Sequence, residues 1–351
     1  MKKHGRIAAS AVLILHNDPS PPAGSGAAVC AESWAGVLHE AAAVAAALDT
    51  LEIPHRTASV RILSDVPAAV AGASEDIVFN LVEELHGASG DACLVPGICR
   101  AMGRGVTGNG TACHILTLDK WIAKAALRSH GVDTPGAVVI PLGGGADGQE
   151  LPEGDLMIKP LATDASEGID GASVVRRGER ERIAEVVRRI HTAFGQPALV
   201  EQYIEGREFN VSIFEDGGEL RVLPLAEIEF TGFPAGRPRI VDYAAKWVEQ
   251  SFEYRNTLRR VPAANVPEDA TGRLRCAAAA SWRALGCQDY ARVDFRLDAQ
   301  GNPFVLEVNA NPDISPDAGF CAALAAAGIA FPDFVAAVTG NAARRHARTL
   351  A

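Results

Sequence analysis

The chain has 351 residues, of which 48% are apolar and 22% charged, with a formal net charge of −10 at pH 7. That is an ordinary globular balance with room for two or three domains. The acidity argues against a nucleic acid held through its phosphates, and no run is long and apolar enough to span a membrane.

In chain order, residues 7–15 read as a buried strand. Lys2 and Lys3 before it give the outline of a signal peptide, but no small-residue cleavage site follows at the usual distance. Pro19, Pro21, Pro22, Gly24 and Gly26 make a loop longer than most strand-to-helix connections, which suggests a functional or mobile segment. Residues 37–51 have helical spacing and 76–80 are strand-like, so the opening third predicts a small parallel βαβ sheet. From Leu118 onward a helix is predicted over 119–129, and strands over 138–140, 156–159 and 173–175. A loop of small residues, 162–171, lies between the last two strands, and 179–194 form a helix with a charged face. Further strands are predicted at 198–203, 208–214, 221–228, 291–297 and 304–308, with a long Ala-rich helix over 269–285. The basic residues 344–348 predict a frayed, solvated end. Units at 1–117, 118–204 and 205–345 follow from this order. The seven cysteines contain no C-x-x-C pair and predict buried free thiols in a reducing, cytoplasmic setting.

The densest chemical signal is residues 290–311, YARVDFRLDAQGNPFVLEVNAN. Residues 298–302 form a turn, which makes this a hairpin. Side chains alternate along a strand, so Arg292 and Asp294 share one face, and Glu307 and Asn309 share a face of the partner strand. If those faces coincide, two carboxylates, an amide oxygen and a guanidinium converge. Hard oxygen ligands suit Mg²⁺, with Mn²⁺ as a substitute, and the arginine suits an oxyanion.

This pattern resembles the D-alanine–D-alanine ligase branch of the ATP-grasp superfamily, in which R-x-D, a hairpin and E-x-N supply the metal ligands and the oxyanion arginine. Glu84-Leu85-His86-Gly87 is similar to the family's L-H-G segment. Thr107-Gly108-Asn109-Gly110 leading to Leu118-Asp119-Lys120 resembles T-G-S-G…M-D-K, and Lys159-Pro160 resembles its K-P pair. Residues 201–208, EQYIEGRE, are similar to the segment that contacts adenine and ribose, and Asp242–Trp247, DYAAKW, to the loop that closes over phosphates. The resemblance implies an α/β ATP-grasp fold of three domains, an N-terminal βαβ domain followed by two that clasp ATP. It also implies Lys120 and Lys159 on the phosphates, Glu201, Tyr203, Ile204 and Glu208 around the nucleoside, Lys246 near the transferred phosphoryl group, and a homodimer.

Departures from the family bear on the substrate. His16-Asn17 and the Pro/Gly-rich segment replace its G-G loop, and Gly90-Asp91-Ala92-Cys93 replaces G-E-D-G. Glu32 stands where it could grip a substrate ammonium group, or equally favour a helix dipole as an N-terminal acid. The phosphate-loop serine falls on Ala165, with Ser166 beside it, and Trp247 replaces a tyrosine. After Asn309 the family reads N-x-x-P-G-x-T-x-x-S, ending in a region that clamps a carboxylate. This chain carries Asp313 and Asp317 there, and acids attract cations. The expected reaction is therefore ATP-dependent coupling of a small carboxylate, such as an amino acid, to an amine through an acyl phosphate. True D-alanine–D-alanine ligation, a phosphotransferase and a non-catalytic ATP-binding module are the alternatives.

Overall fold

The computed structural model describes residues 11–19, 31–72, 74–85, 89–163 and 165–350, without the side chains of 31–35 and 350. The Pro/Gly-rich loop beyond residue 19, the side chain of Glu32, and His86-Gly87 lie outside the described residues.

The first unit is β1 (Val12–Asn17), α1 (Ala31–Thr50), β2 (His55–Val60), α2 (Asp65–Ala71), β3 (Ile77–Leu81), α3 (Ser89–Ala92), α4 (Val95–Ala101) and β4 (Gly105–Val106). Its four strands are parallel in the order β2-β1-β3-β4. All of β1, VLILHN, is buried, because both faces of a parallel sheet are covered by helices. Val12 and Ile14 pack towards α1, and Leu13 and Leu15 join a separate core with Val66, Val70 and Val95 of α2 and α4.

Helices α5 (Thr111–Leu118) and α6 (Lys120–Ser129) lead into β5 (Ala137–Ile140), β6 (Asp155–Pro160), β7 (Val174–Arg176), α7 (Arg180–Phe194) and β8 (Ala198–Gln202). The strands form an antiparallel sheet, β5-β8-β6-β7, whose buried face meets Ile183, Val187 and Ile190 of α7.

The third unit is β9 (Glu208–Asp216), β10 (Glu219–Val222), β11 (Ala226–Phe230), α8 (Tyr243–Trp247), α9 (Phe252–Asn256), β12 (Thr257–Arg260), α10 (Glu268–Ala284), β13 (Tyr290–Leu297) and β14 (Pro303–Asn309). Its antiparallel sheet runs β12-β11-β9-β13-β14, with β10 also paired to β9. Phe209, Val211, Val293 and Phe295 project to one face and pack with Leu274 and Ala278 of α10. Alternation therefore sends Glu208, Asn210, Arg292 and Asp294 to the other face. Helices α11 (Gly319–Ala326) and α12 (Phe331–Leu350) follow, and Phe320, Phe334 and Val338 return to the core of the first sheet.

Three expectations are corrected. The single strand over 221–228 is two, β10 and β11, both antiparallel to β9: the ladder lapses over 223–225, where Pro224 lacks the N–H it requires, and the register shifts by one residue. The basic end is no frayed tail: α12 runs to Leu350, and Arg345 holds the fully buried Asp289 through two bonds of 2.6 and 2.7 Å. The six described cysteines are free, but Cys276 is exposed on the outer face of α10. Among the described residues no single helix is long and apolar enough to cross a membrane.

Candidate active site

The hairpin β13–β14 does bring its polar residues together. Arg292 pairs with Asn309 and Asp294 with Glu307 across the two strands, and Asn210 of β9 pairs with Asp294 from the other side. Asp294 Oδ1 accepts from Arg292 Nε at 2.8 Å and from Asn210 Nδ2 at 2.7 Å. Its Oδ2 accepts from Arg292 Nη2 at 2.9 Å and Asn309 Nδ2 at 3.2 Å. The register shifts after Asp294, a β-bulge that accounts for an otherwise impossible placement. Val305 and Glu307 have the same parity, yet Val305 is in the core and Glu307 lines the cavity.

Four cations gather around Glu307. Burial opposes its ionisation, but Lys120, Lys246, Lys159 and Arg292 prevail and hold its carboxyl down at about 2. Lys120 Nζ lies 4.0 Å from Glu307 Oε2 and also donates to the carbonyl of Thr163. Lys120 opens α6, which Asp119 caps by accepting from the N–H groups of Trp121 and Ile122 at 2.9 and 3.0 Å. Lys159, on β6, reaches Glu201 Oε1 of the neighbouring strand β8 at 2.6 Å. Lys124, one helical turn after Lys120, reaches Glu201 Oε2 at 2.8 Å. Burial lowers Lys124 to about 8 against the attraction of Glu201. Burial and the repulsion of Arg292 also lower Lys246, despite Glu307 beside it.

Two loops lock over this face. Ala165 and Ser166 take left-handed backbone angles, φ 56° and 61°, which cost non-glycine residues about 1–2 kcal/mol each. They are held there from the far segment: Trp247 Nε1 donates to the Ala165 carbonyl at 3.1 Å, and Ser166 Oγ donates to the Val241 carbonyl at 2.9 Å. Strain retained at a loop facing a charged pocket is characteristic of working sites.

The cavity between these elements, about 1330 Å³, exceeds the roughly 300–1,000 Å³ of a single-ligand pocket. Lys120, Lys159, Ser166, Glu201, Tyr203, Ile204, Glu208, Lys246, Arg292, Asp294, Glu307 and Asn309 all line it. Glu208 lies beside Arg296, whose Nε donates to its Oε2 at 2.9 Å, and the Arg296 guanidinium sits 5.6 Å from the Tyr203 ring centre. Sequence reasoning missed Lys124, Asn210, Arg296 and Glu40. The first three were legible as the i+4 neighbour of Lys120 on a helix and the i+2 neighbours of Glu208 and Asp294 on strands. Glu40 carried no local signal.

The donor set suits a hard divalent cation. Asp294, Glu307 and Asn309 offer oxygen from adjacent positions of one sheet face, and Asn309 presents its oxygen once the amide turns from Asp294.

Residues 155–339 match the family described as D-ala D-ala ligase C-terminus. A D-alanine–D-alanine ligase of Acidiphilium cryptum is 32% identical, covering 82% of this chain and 87% of the relative. The chain belongs to the D-Ala–D-Ala ligase family. This family consists of ATP-dependent, carbon–nitrogen bond-forming ligases that use Mg²⁺, and the chain is such a ligase on the ATP-grasp fold. An uncharacterized protein of Sinorhizobium fredii is 33% identical over 77% of the chain and 75% of its own length. In fold, the D-alanine–D-alanine ligase of Bacillus anthracis complexed with ATP superposes with a TM-score of 0.70 at 21% identity, over 97% of this chain and 100% of that one. The VanG D-Ala:D-Ser ligase of Enterococcus faecalis gives 0.68 at 20% identity, over 95% and 100%.

Proposed function

We propose that the enzyme phosphorylates the carboxylate of a small amino-acid-type substrate with ATP and passes the acyl group to an amine, releasing ADP and phosphate. The observation that carries this reading is the convergence of Lys120, Lys159, Lys246 and Arg292 on Glu307 in a cavity large enough for a nucleotide and two further reactants.

Each role belongs to a named side chain. Lys120 and Lys159 hold the ATP phosphates as point charges, and Lys246 faces the transferred phosphoryl group. Glu201 anchors Lys159 and Lys124, and Tyr203, Ile204 and Glu208 take the nucleoside. Asp294, Glu307 and Asn309 hold Mg²⁺, or Mn²⁺ in its place, which supplies charge neutralisation on the phosphates. Ser166 and the small-residue loop exclude water. Glu32 is assigned to a substrate ammonium group. The substrate carboxylate oxygen attacks the γ-phosphorus, and the bond to the ADP oxygen breaks. The amine lone pair then attacks the acyl carbon, Arg292 bears the oxyanion, phosphate leaves and the ammonium proton is lost.

D-alanine–D-alanine ligation is the reading favoured by the relatives' names, and one assay separates the two. ADP and phosphate release is measured with Mg²⁺-ATP and amino acids and amines, singly and in pairs, with mass spectrometry of products. D-alanine alone giving its dimer establishes D-alanine–D-alanine ligation, whereas turnover that needs two different partners and yields a product one water lighter than their sum supports the broader ligase reading. ADP release with a stably phosphorylated single substrate would replace it with a phosphotransferase. We place the active form in the cytoplasm as a homodimer that acts on neither nucleic acid nor membranes, and light scattering at assay concentration tests the dimer.

A further inference from the structure

Lys159 and Glu201 line the cavity, and behind them stands Lys124, which is no part of the lining and is 1% exposed. It lies one turn after Lys120 on the same face of α6. Lys124 Nζ is 2.8 Å from Glu201 Oε2, while Lys159 Nζ is 2.6 Å from Oε1 of the same carboxylate. Lys124 Nζ also donates to the Leu306 carbonyl at 3.3 Å. Leu306 is the extra residue of the β14 bulge, because its neighbours Val305 and Glu307 pair with successive residues of β13. The Lys124 ammonium group is thus fixed from two sides, by β8 and by the bulge that turns Glu307 into the cavity.

A carboxylate beside a single ammonium group makes a closed pair whose two fields largely cancel a few ångströms away. With Glu201 as its sole neighbour, Lys159 would carry little net charge to the cavity. Two ammonium groups on one carboxylate leave a positive surplus, and of the two it is Lys159 that faces the cavity. Glu201 Oε2 has no hydrogen-bond donor directed at it, so what Lys124 supplies there is charge at close range. Burying a further charge is costly and adds little to stability even when it is paired. The trio therefore points to the charge that it presents at the cavity wall.

Resting on the assignment of Lys159 to the ATP phosphates above, we propose that Lys124 is a positioning residue for that contact: it neutralises Glu201 from behind and leaves the Lys159 ammonium group free to hold phosphate. Lys124 touches neither nucleotide nor metal and acts through Glu201 and Lys159. By holding the Leu306 carbonyl as well, the same ammonium group keeps Lys159 and the carboxylate of Glu307 in one frame.

Calorimetry with Mg²⁺-ADP reads the contact without requiring turnover. Lys124→Gln keeps a donor for the Leu306 carbonyl and deletes the charge. It should weaken Mg²⁺-ADP roughly tenfold, as loss of one charge-assisted contact requires, and raise KM for ATP in step with a smaller change in kcat. Lys124→Gln combined with Glu201→Gln removes the anion together with the group that neutralises it, and should return Mg²⁺-ADP affinity to within about threefold of wild type. A merely structural Lys124 gives the opposite, because the second substitution then adds to the damage. Lys124→Met carries the same expectations should the Gln variant fail to fold. Unchanged affinity in Lys124→Gln, or a double variant no better than the single one, overturns the inference. Lys159→Met separates it from the reading beneath. Unchanged Mg²⁺-ADP affinity in that variant takes Lys159 off the phosphates and the inference falls with it, whereas weakening in Lys159→Met with none in Lys124→Gln overturns the inference alone.

Discussion

Asp294 accepts four hydrogen bonds, from Arg292 twice and from Asn210 and Asn309 once each. A carboxylate offers about four lone-pair sites. A cation held by Asp294 would have to displace existing donors, and the donor whose release would serve the reaction best is Arg292. Removing the fork as Arg292→Met should lower kcat by about 10²–10³, the usual loss of one oxyanion donor, without weakening the Mg²⁺ requirement. Steady-state kinetics against metal concentration checks both. A parallel loss of metal affinity would mean the arginine is a structural strut of the metal site. Glu307 allows a second prediction. Its folded carboxyl is held near 2 against an ordinary 4.5. The folded state thus favours the anion, so the stability it contributes is complete above about pH 4.5 and lost as pH falls towards 2. Glu307→Gln should flatten that part of the wild-type melting-temperature profile. An unchanged acid slope would place the acid sensitivity in other carboxylates.

At the scale of elements, the two clasping loops are one device. The 165–168 turn and the α8 segment are joined by the Trp247 and Ser166 hydrogen bonds. Gly168 is the position where only glycine fits: φ is +75° and a Cβ would meet Phe194 and Pro160 at 2.7 Å. Trp247→Phe keeps the ring and deletes the donor, so the clasp should loosen while α8 stays folded. The expected result is a several-fold rise in ATP hydrolysis uncoupled from amine transfer, read as excess ADP over product. Unchanged coupling would show that the clasp does not exclude water. Period-two and helical spacing carried most of the fold and the convergence of Arg292, Asp294, Glu307 and Asn309, because those four sit on regular strands, whereas Lys120, Lys159, Glu201, Tyr203, Ile204, Glu208 and Lys246 were legible only through the motif resemblance. Where the period breaks, reading failed. The bulge in β14 shifts parity for Val305 but not for Glu307, and Pro224 splits one expected strand. The hydrogen bond between Glu40 of α1 and Asp313 on the loop after β14 joins residues far apart in sequence, which no local pattern encodes. The side-chain partners of Lys159 and Glu208 became visible only with the cross-strand pairing of Glu201 and Arg296.

On the scale of the whole molecule, the C-terminal helix ties the β13–β14 hairpin to the first sheet. Asp289 precedes β13, is fully buried, and is met by Arg345 of α12 and by the Gly108 N–H at 2.7 Å. Arg345 also donates to the Val106 carbonyl of β4 at 2.9 Å. One guanidinium thus spans the end of the first sheet, the entry to the hairpin and the end of the chain. Arg345→Met retains much of the side-chain volume but leaves a buried carboxylate with only a backbone donor. Stranding a buried charge costs about 3–5 kcal/mol, and the 31% exposure of the Arg345 side chain puts the expected value at the lower end. Arg348→Met, one turn further and exposed, should change stability by no more than about 0.5 kcal/mol. Asp289→Asn combined with Arg345→Met should recover part of the loss, because the charge is no longer stranded. Urea denaturation of the three variants decides the matter. Equal midpoints for Arg345→Met and Arg348→Met would return the basic helix end to the solvated role that its composition alone suggests.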